Sequence, residues 1–147
     1  MEKVAFALDI EDDWPPVSIE RVWCEKNGSV YQLKNAPFFI EGLARGDRFT
    51  AEPDAVNGCI FEFTTVESSG HSLMWVAEQE GLTLAPYKQE LLGLGCSIEG
   101  FPAFQLHAID VPPAVAHEAI NAAIVKLDSL GFAMAFPVWR HASSLLR

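Results

Sequence analysis

Cysteine is scarce in this sequence and falls into no recognisable pairing. The three cysteines are Cys24, Cys59 and Cys96, which lie 35 and 37 residues apart. This spacing contains no CxxC motif, and an odd number of cysteines argues against a disulfide framework. We therefore predict three small buried thiols in a reducing, cytoplasmic compartment.

Long hydrophobic runs are also missing. No apolar stretch approaches the roughly 20 residues that a membrane helix needs. The apolar stretch Val4–Ile10 is too short for the core of a secretion signal, and Glu11-Asp12-Asp13 follows it instead of a small-residue cleavage site. The sequence thus predicts neither a signal peptide nor a membrane span.

Positive charge is sparse relative to negative charge. Ten Lys and Arg stand against 20 Asp and Glu, giving a net charge of −10, and the part up to Gly70 carries −7 of it. Such a field repels nucleic-acid phosphates and anionic lipid and attracts basic proteins. We predict a basic protein partner and no nucleic-acid or membrane binding; the alternative is that the charge only keeps the protein soluble.

Residue spacings typical of catalytic or metal sites are absent. The histidines His71, His107, His117 and His141 form no HxH, HxxxH or HExxH motif. Ser72 follows His71 directly, but neighbouring residues of a strand point to opposite faces, and no GxSxG motif is present. We predict no metal, no cofactor and no enzymatic activity.

Alternating apolar residues in the first part of the chain predict five short strands with tight turns. Val4, Phe6 and Leu8 alternate with small or polar residues, as expected for a half-buried strand. Asn27-Gly28 and Asn57-Gly58 are typical hairpin turns. We predict a small five-stranded β-barrel-like subdomain over residues 1–68.

The pattern changes after Glu67-Ser68-Ser69-Gly70. The predicted elements from there on are a strand over 73–79, a helix over 84–94 capped by Thr83, strands over 96–99 and 103–110, a helix from Pro112-Pro113 to the residue before Gly131, and a strand over 132–139. This βαββαβ order is that of a ferredoxin-like subdomain, here residues 69–147. The fold class is α+β, with the barrel-like part packed on the ferredoxin-like part.

The densest acidic cluster lies at the end of the first strand. Glu11, Asp12 and Asp13 are followed directly by Trp14 and two prolines. An exposed tryptophan beside carboxylates gives a partner an apolar anchor and a complement to its Lys or Arg. We predict partner binding by Glu11, Asp12, Asp13 and Trp14; the alternative is an ordinary solvated loop.

Several motifs resemble the bacterial domain-of-unknown-function family numbered 4265. They are Asn35-x-Pro37-Phe38-Phe39-x-x-Gly42-Leu43-x-x-Gly46-Asp47, then Ser69-Gly70-His71-Ser72, Leu94-Gly95-Cys96 and Ile109-Asp110-Val111-Pro112. The resemblance spans positions 4 to 140 and implies a bacterial, cytoplasmic protein, but it brings no assigned activity.

Small acidic bacterial proteins of this kind often act as immunity proteins. Our leading hypothesis is an immunity-type binding protein that neutralises a basic antibacterial toxin domain by covering its active surface. The alternative is a small-molecule sensor or regulator with a pocket near Phe39, His71 and Trp75. A third possibility is a hydrolase built on His71 and a carboxylate distant in sequence.

Overall fold

The protein is a mixed α+β molecule with two antiparallel sheets and two helices in the described part of the chain. Its structure is a computed structural model that describes residues 1–141. Backbone contacts divide the chain into two compact units, one ending at Ser69 and the other beginning at Gly70. Neither helix in these described residues has the length and apolar character needed to cross a membrane.

The first unit is a five-stranded antiparallel sheet. Its strands are β1 (Glu2–Ala7), β2 (Ile19–Asn27), β3 (Val30–Leu33), β4 (Arg48–Ala51) and β5 (Phe63–Glu67). They pair in chain order, each with the next. The hairpin between β2 and β3 confirms the turn predicted at Asn27-Gly28, because Asn27 pairs with Val30 and Gly28 has a φ of 64°.

The predicted barrel does not close. Within residues 1–141 no ladder joins β5 to β1, and a single parallel bridge between Phe6 and Ile60 touches the β1 edge. The segment after β4 makes a turn, with the Gly58 amide donating to the Asp54 carbonyl at 2.8 Å, so β5 starts only at Phe63. The strand predicted over Cys59–Val66 is therefore shorter, and the sheet is an open meander.

Aromatic rings fill the core of the first unit. Phe49 is completely buried and stacks on Tyr31 with 5.3 Å between ring centroids. Phe6 and Phe63 meet the same Phe49 ring edge-on or tilted, at 5.7 and 5.9 Å. Alternate residues of β1, β2 and β3 point into this core, as the period-two pattern predicts.

The second unit is a four-stranded antiparallel sheet with two helices. Its elements are β6 (Ser72–Ala77), α1 (Lys88–Leu94), β7 (Ser97–Phe101), β8 (Leu106–Val111), α2 (His117–Leu130) and β9 (Ala133–Val138). The strands lie in the order β7-β8-β6-β9. Ser72–Val76 of β6 is buried at every position, which is why this strand has no polar side in the sequence.

Both helices of the second unit start later than predicted. A 3₁₀ turn over Ala85–Tyr87 precedes α1, and Thr83 does not cap it. Instead, the carboxylate of Glu78 accepts the Leu84 amide hydrogen at 2.6 Å. The prolines at 112 and 113 lie in a turn, and α2 begins at His117 and ends at Leu130, followed by Gly131, whose φ of 99° suits a glycine.

Candidate functional site

The acidic cluster forms a rigid two-residue turn in the first unit. The Glu11 amide donates to the Trp14 carbonyl at 2.9 Å, and the Trp14 amide donates to the Glu11 carbonyl at 3.0 Å. Asp12 and Asp13, at the tip, have φ values of 52° and 63°. Asp is among the few residues that tolerate this left-handed region, because its short side chain can hydrogen-bond locally. All four residues are exposed, so the turn presents its carboxylates to solvent.

Trp14 packs on a buried aromatic ring. Its side chain is 53% exposed, and its ring meets Phe39 edge-on with 5.6 Å between centroids. Phe39 itself is buried. Part of the indole thus packs on Phe39 while the remainder faces solvent, an arrangement typical of anchor residues at interfaces.

The segment beneath Trp14 is fixed by a carboxylate from β2. Glu20 accepts hydrogen bonds from the backbone amides of Phe38, Phe39 and Ile40 at 2.6, 2.8 and 3.1 Å. Charge-assisted bonds of this kind are stronger than neutral ones and hold the loop in one conformation. The sequence gives no sign of this link, because Glu20 looks like any polar residue of an alternating strand.

Asp47 is the last residue of the glycine motif, which spans residues 35–47 and contains Gly42 and Gly46. Its carboxylate is fully buried. It accepts the Ala44 amide at 3.0 Å and both the amide and the hydroxyl of Ser69 at 2.9 Å. These partners are a residue three positions earlier and one 22 positions later. The motif thus joins its own loop to the end of the first unit.

Two histidines of the second unit pair with residues far away in sequence. His71 Nδ1 lies 2.7 Å from Oδ1 of Asp110, a carboxylate that is only 2% exposed. Ser72 Oγ lies 2.5 Å from His141 Nδ1. His71 and Ser72 therefore have separate partners, as the alternation of strand residues predicts.

The Ser72–His141 pair is a buried structural tie. His141 Nε2 lies 2.8 Å from the Pro112 carbonyl, which only accepts, so Nε2 carries the hydrogen. Ser72 Oγ accepts the Arg140 amide at 2.7 Å and donates its own hydrogen to His141 Nδ1. Ser72 is fully buried and His141 is 6% exposed. Burial and complete hydrogen bonding leave this serine to fasten the end of β9 to β6.

The residues of the predicted pocket are divided between the two units. Phe39 belongs to the first unit and supports Trp14, whereas His71 and Trp75 belong to the second. His71 and Trp75 occupy alternating positions at and just before β6, so they share a sheet face. A pocket formed by all three remains a prediction.

The thiols are buried, and the described residues form no metal-binding cluster. Burial raises the pKa of Cys24 to about 12 and that of Cys96 to about 11, so both stay protonated at neutral pH. All three cysteines are free. Among residues 1–141, no group of three or more histidine, cysteine, aspartate or glutamate side chains is arranged to hold a metal ion.

Comparisons with known proteins bear on family and fold. The family model described as "Domain of unknown function (DUF4265)" matches residues 20–134. A solved structure described as a hypothetical protein from Neisseria gonorrhoeae superposes with a TM-score of 0.74 at 11% identity, covering 94% of this chain and 96% of that one. At that identity the likeness concerns the fold alone. No curated protein matches the chain.

Proposed function

The chain belongs to the DUF4265 family, and we propose that it is an immunity-type binding protein that neutralises a basic antibacterial toxin domain. In this proposal the contact surface is the acidic turn, Glu11 to Trp14. The single observation that supports it best is the anchored, half-exposed tryptophan directly beside three exposed carboxylates.

The turn suits binding because its backbone and the Trp14 side chain are already ordered without a partner. Its backbone is closed by two hydrogen bonds, and Trp14 already packs on Phe39. A partner therefore loses little free energy in fixing these side chains. Burying the exposed part of the indole would supply apolar contact, and the carboxylates would pair with Lys or Arg around it.

The charge of the chain supports a basic partner. With a net charge of −10, the protein attracts cationic surfaces over distances of about 10 Å at moderate salt and accelerates encounter. Toxin domains that act on nucleic acid or nucleotides are basic where they bind phosphate. An acidic protein that covers such a surface would compete directly with the substrate. We place this activity in the cytoplasm, where free thiols are stable.

The order β7-β8-β6-β9, with a helix after β6 and another after β8, supports assigning the second unit to the ferredoxin-like class. In this proposal it serves as a rigid body.

The test uses the gene adjacent to the one that encodes this chain. Expressing the neighbouring gene alone should stop growth, and co-expression with this chain should restore it. Asp12→Asn with Asp13→Asn removes two charges while keeping residues that accept positive φ, so rescue should weaken without loss of fold. Glu80→Gln with Asp128→Asn, two exposed carboxylates of the second unit, is the charge-matched control. A neighbouring gene that proves harmless would remove the toxin part of the proposal.

The aromatic anchor has its own matched control. Trp14→Ala should weaken binding to the toxin domain by about 2 kcal/mol, as expected for a central interface tryptophan. Trp23→Ala should change binding little. Trp23 is 43% exposed, but the Lys3 ammonium already lies over its ring, 5.2 Å from the centroid. Isothermal titration calorimetry measures both, and equal losses for the two variants would contradict the assignment of Trp14.

A second candidate function is favoured by the His71–Asp110 pair. A buried carboxylate that holds a histidine in one orientation is a common device of ligand-binding sites. In this second proposal the chain is a small-molecule sensor that uses His71 and Trp75 of the second unit. A thermal-shift screen of metabolites separates the two functions, because a ligand that raises the melting temperature of the wild type but not of His71→Ala would support a sensor.

A further inference from the structure

The open edge of the first sheet is a second surface with the features of a binding site. We propose that β5 accepts an extended, basic segment of the partner as an additional strand. This inference rests on the proposed function and deepens it, since it names the form and chemistry of the segment that is bound.

Strand β5 is exposed and pairs on one side only. It lies at the end of the order β1-β2-β3-β4-β5, and among the described residues β4 is its sole strand neighbour. Thr64, Thr65, Val66 and Glu67 are all exposed, Val66 at 53%. An edge strand leaves a row of backbone donors and acceptors directed at solvent, ready to pair with another chain.

The β1 and β9 edges differ from β5. The β1 edge is met by Ile60, which accepts the Ala7 amide at 2.9 Å and donates to the Ala5 carbonyl at 2.8 Å. The β9 edge contains Pro137, which has no amide hydrogen to offer. In contrast, Phe63–Glu67 contains no proline and no lysine, and its Phe, Thr and Val residues favour strands. Natural proteins normally protect such an edge. Here the ladder with β4 shifts register between Arg48 and Phe49, so the regular part of β5 that can accept a further strand is Phe63 to Thr65.

An acidic groove lies over the end of the β4–β5 pair and extends to Ser29 in the turn between β2 and β3. The groove is open, has a volume of about 650 Å³, and is lined by Thr50, Glu52, Phe61, Glu62, Phe63 and Thr64 among others. Phe61 is 60% exposed, so the groove offers an aromatic surface as well as two carboxylates. A Lys or Arg side chain fits both features, because its methylene stem packs on the ring while its charge reaches a carboxylate.

The charge of this part of the chain selects the occupant. Between Arg48 and Lys88 the sequence contains no lysine or arginine, while Glu52, Asp54, Glu62 and Glu67 lie on or near β4 and β5. The Arg48 guanidinium is paired with Glu67 at 3.1 Å. A second copy of this chain would bring like charges together, which costs free energy. A basic segment of another protein would instead be attracted.

The test uses synthetic peptides and the full ¹⁵N-labelled chain. The probe is the nonapeptide KVTVKVTVK, and its controls are EVTVEVTVE and the proline-containing KVPVKVPVK, which keeps the charge but cannot form a strand. At low salt the first peptide should shift the amide resonances of residues 61–67, whereas the two controls should not. The Glu52→Lys with Glu62→Lys variant should weaken the affinity about tenfold.

Each outcome decides the proposal. Equal binding of the proline-containing peptide would overturn strand addition and leave only charge attraction. Shifts confined to residues 11–14, or no shifts, would overturn the β5 edge as the site, and a dimer seen by sedimentation and broken by the same variant would show that a second copy is the occupant. The growth rescue and its Asp12 and Asp13 variants do not depend on these peptides, so failure here is distinct from failure of the proposed function.

Discussion

Asp47 shows how single side chains of this protein hold loops together. Its carboxylate is completely buried and accepts hydrogen bonds from the Ala44 amide and from both the amide and the hydroxyl of Ser69. A buried charge is tolerated only when it is hydrogen-bonded, and here the partners lie three residues before Asp47 and 22 residues after it. The residue therefore joins the glycine motif to the boundary of the first unit.

We predict that Asp47→Asn destabilises the protein by about 2–3 kcal/mol. The NH₂ group of asparagine would face N–H or O–H groups that now donate to the carboxylate. At least one buried donor would therefore lose its acceptor. Urea unfolding followed by circular dichroism measures the change. Glu41→Gln, an exposed carboxylate of the same segment, is the control and should alter the free energy of unfolding by less than about 0.5 kcal/mol. A mild effect at Asp47 would mean that the loop is held by other contacts.

Side-chain pairs distant in sequence were beyond prediction at the residue scale. His71 meets Asp110 and Ser72 meets His141 across 39 and 69 residues. Strand alternation predicts that neighbouring side chains diverge, but it does not tell which residues face them across a sheet. The acidic turn can be predicted from the run of acidic residues before Trp14. Its closed backbone and the packing of Trp14 on Phe39 cannot, because they depend on tertiary structure.

Glu78 controls how the first helix of the second unit begins. Its carboxylate accepts the Leu84 amide, and His107 Nε2 lies 3.3 Å away. The Leu84 hydrogen bond, followed by the His107 interaction, holds the pKa of the Glu78 carboxyl below its usual range. A carboxyl whose pKa is depressed by folding stabilises the folded state above its unfolded pKa, and that stabilisation is lost as the pH falls through the folded pKa.

We predict that Glu78→Gln lowers the free energy of unfolding by about 1 kcal/mol at pH 7, since glutamine keeps an acceptor but loses the charge. The difference from wild type should shrink below about pH 4.3, the ordinary range of a glutamate, and vanish in stronger acid. Urea midpoints at pH 7, 5, 4 and 3 provide the measurement, with the exposed Glu80→Gln as control. A difference that persists unchanged at pH 3 would show that charge is not its cause.

Element types were easier to predict than element ends. The five strands and then the order strand, helix, strand, strand, helix, strand follow from periods of two and 3.6 in the apolar residues. The predicted start of α1 is wrong. Thr83 has the right chemistry for a cap, but the Glu78 carboxylate, six residues before Leu84, already accepts the Leu84 amide hydrogen. The predicted barrel closure is wrong because alternation indicates only local pairing: the turn at Asn57-Gly58 is present, but the chain after it bridges β1 at Ile60 before β5 starts at Phe63.

At the scale of the whole molecule, negative charge outweighs the attractive pairs. The exposed ion pairs include Lys34–Glu25, Arg48–Glu67 and Lys126–Glu90, and each is weak because solvent screens it. Against them stands a net charge of −10 on 147 residues. Self-repulsion of this size destabilises a compact state and is relieved by salt.

We therefore predict that the melting temperature rises with ionic strength. Going from about 10 to about 300 mM sodium chloride should shorten the screening length several-fold and raise the melting temperature by about 2–4 °C, equivalent to about 1 kcal/mol for a chain of this size. Differential scanning calorimetry at pH 7 measures it. Glu41→Gln with Asp128→Asn should show a higher melting temperature in low salt and a smaller rise, because both carboxylates are exposed and add only to the repulsion. A fall in melting temperature would mean that the attractive ion pairs outweigh the repulsion between like charges. The acidic residues would then serve the stability of the fold, and not the attraction of a basic partner.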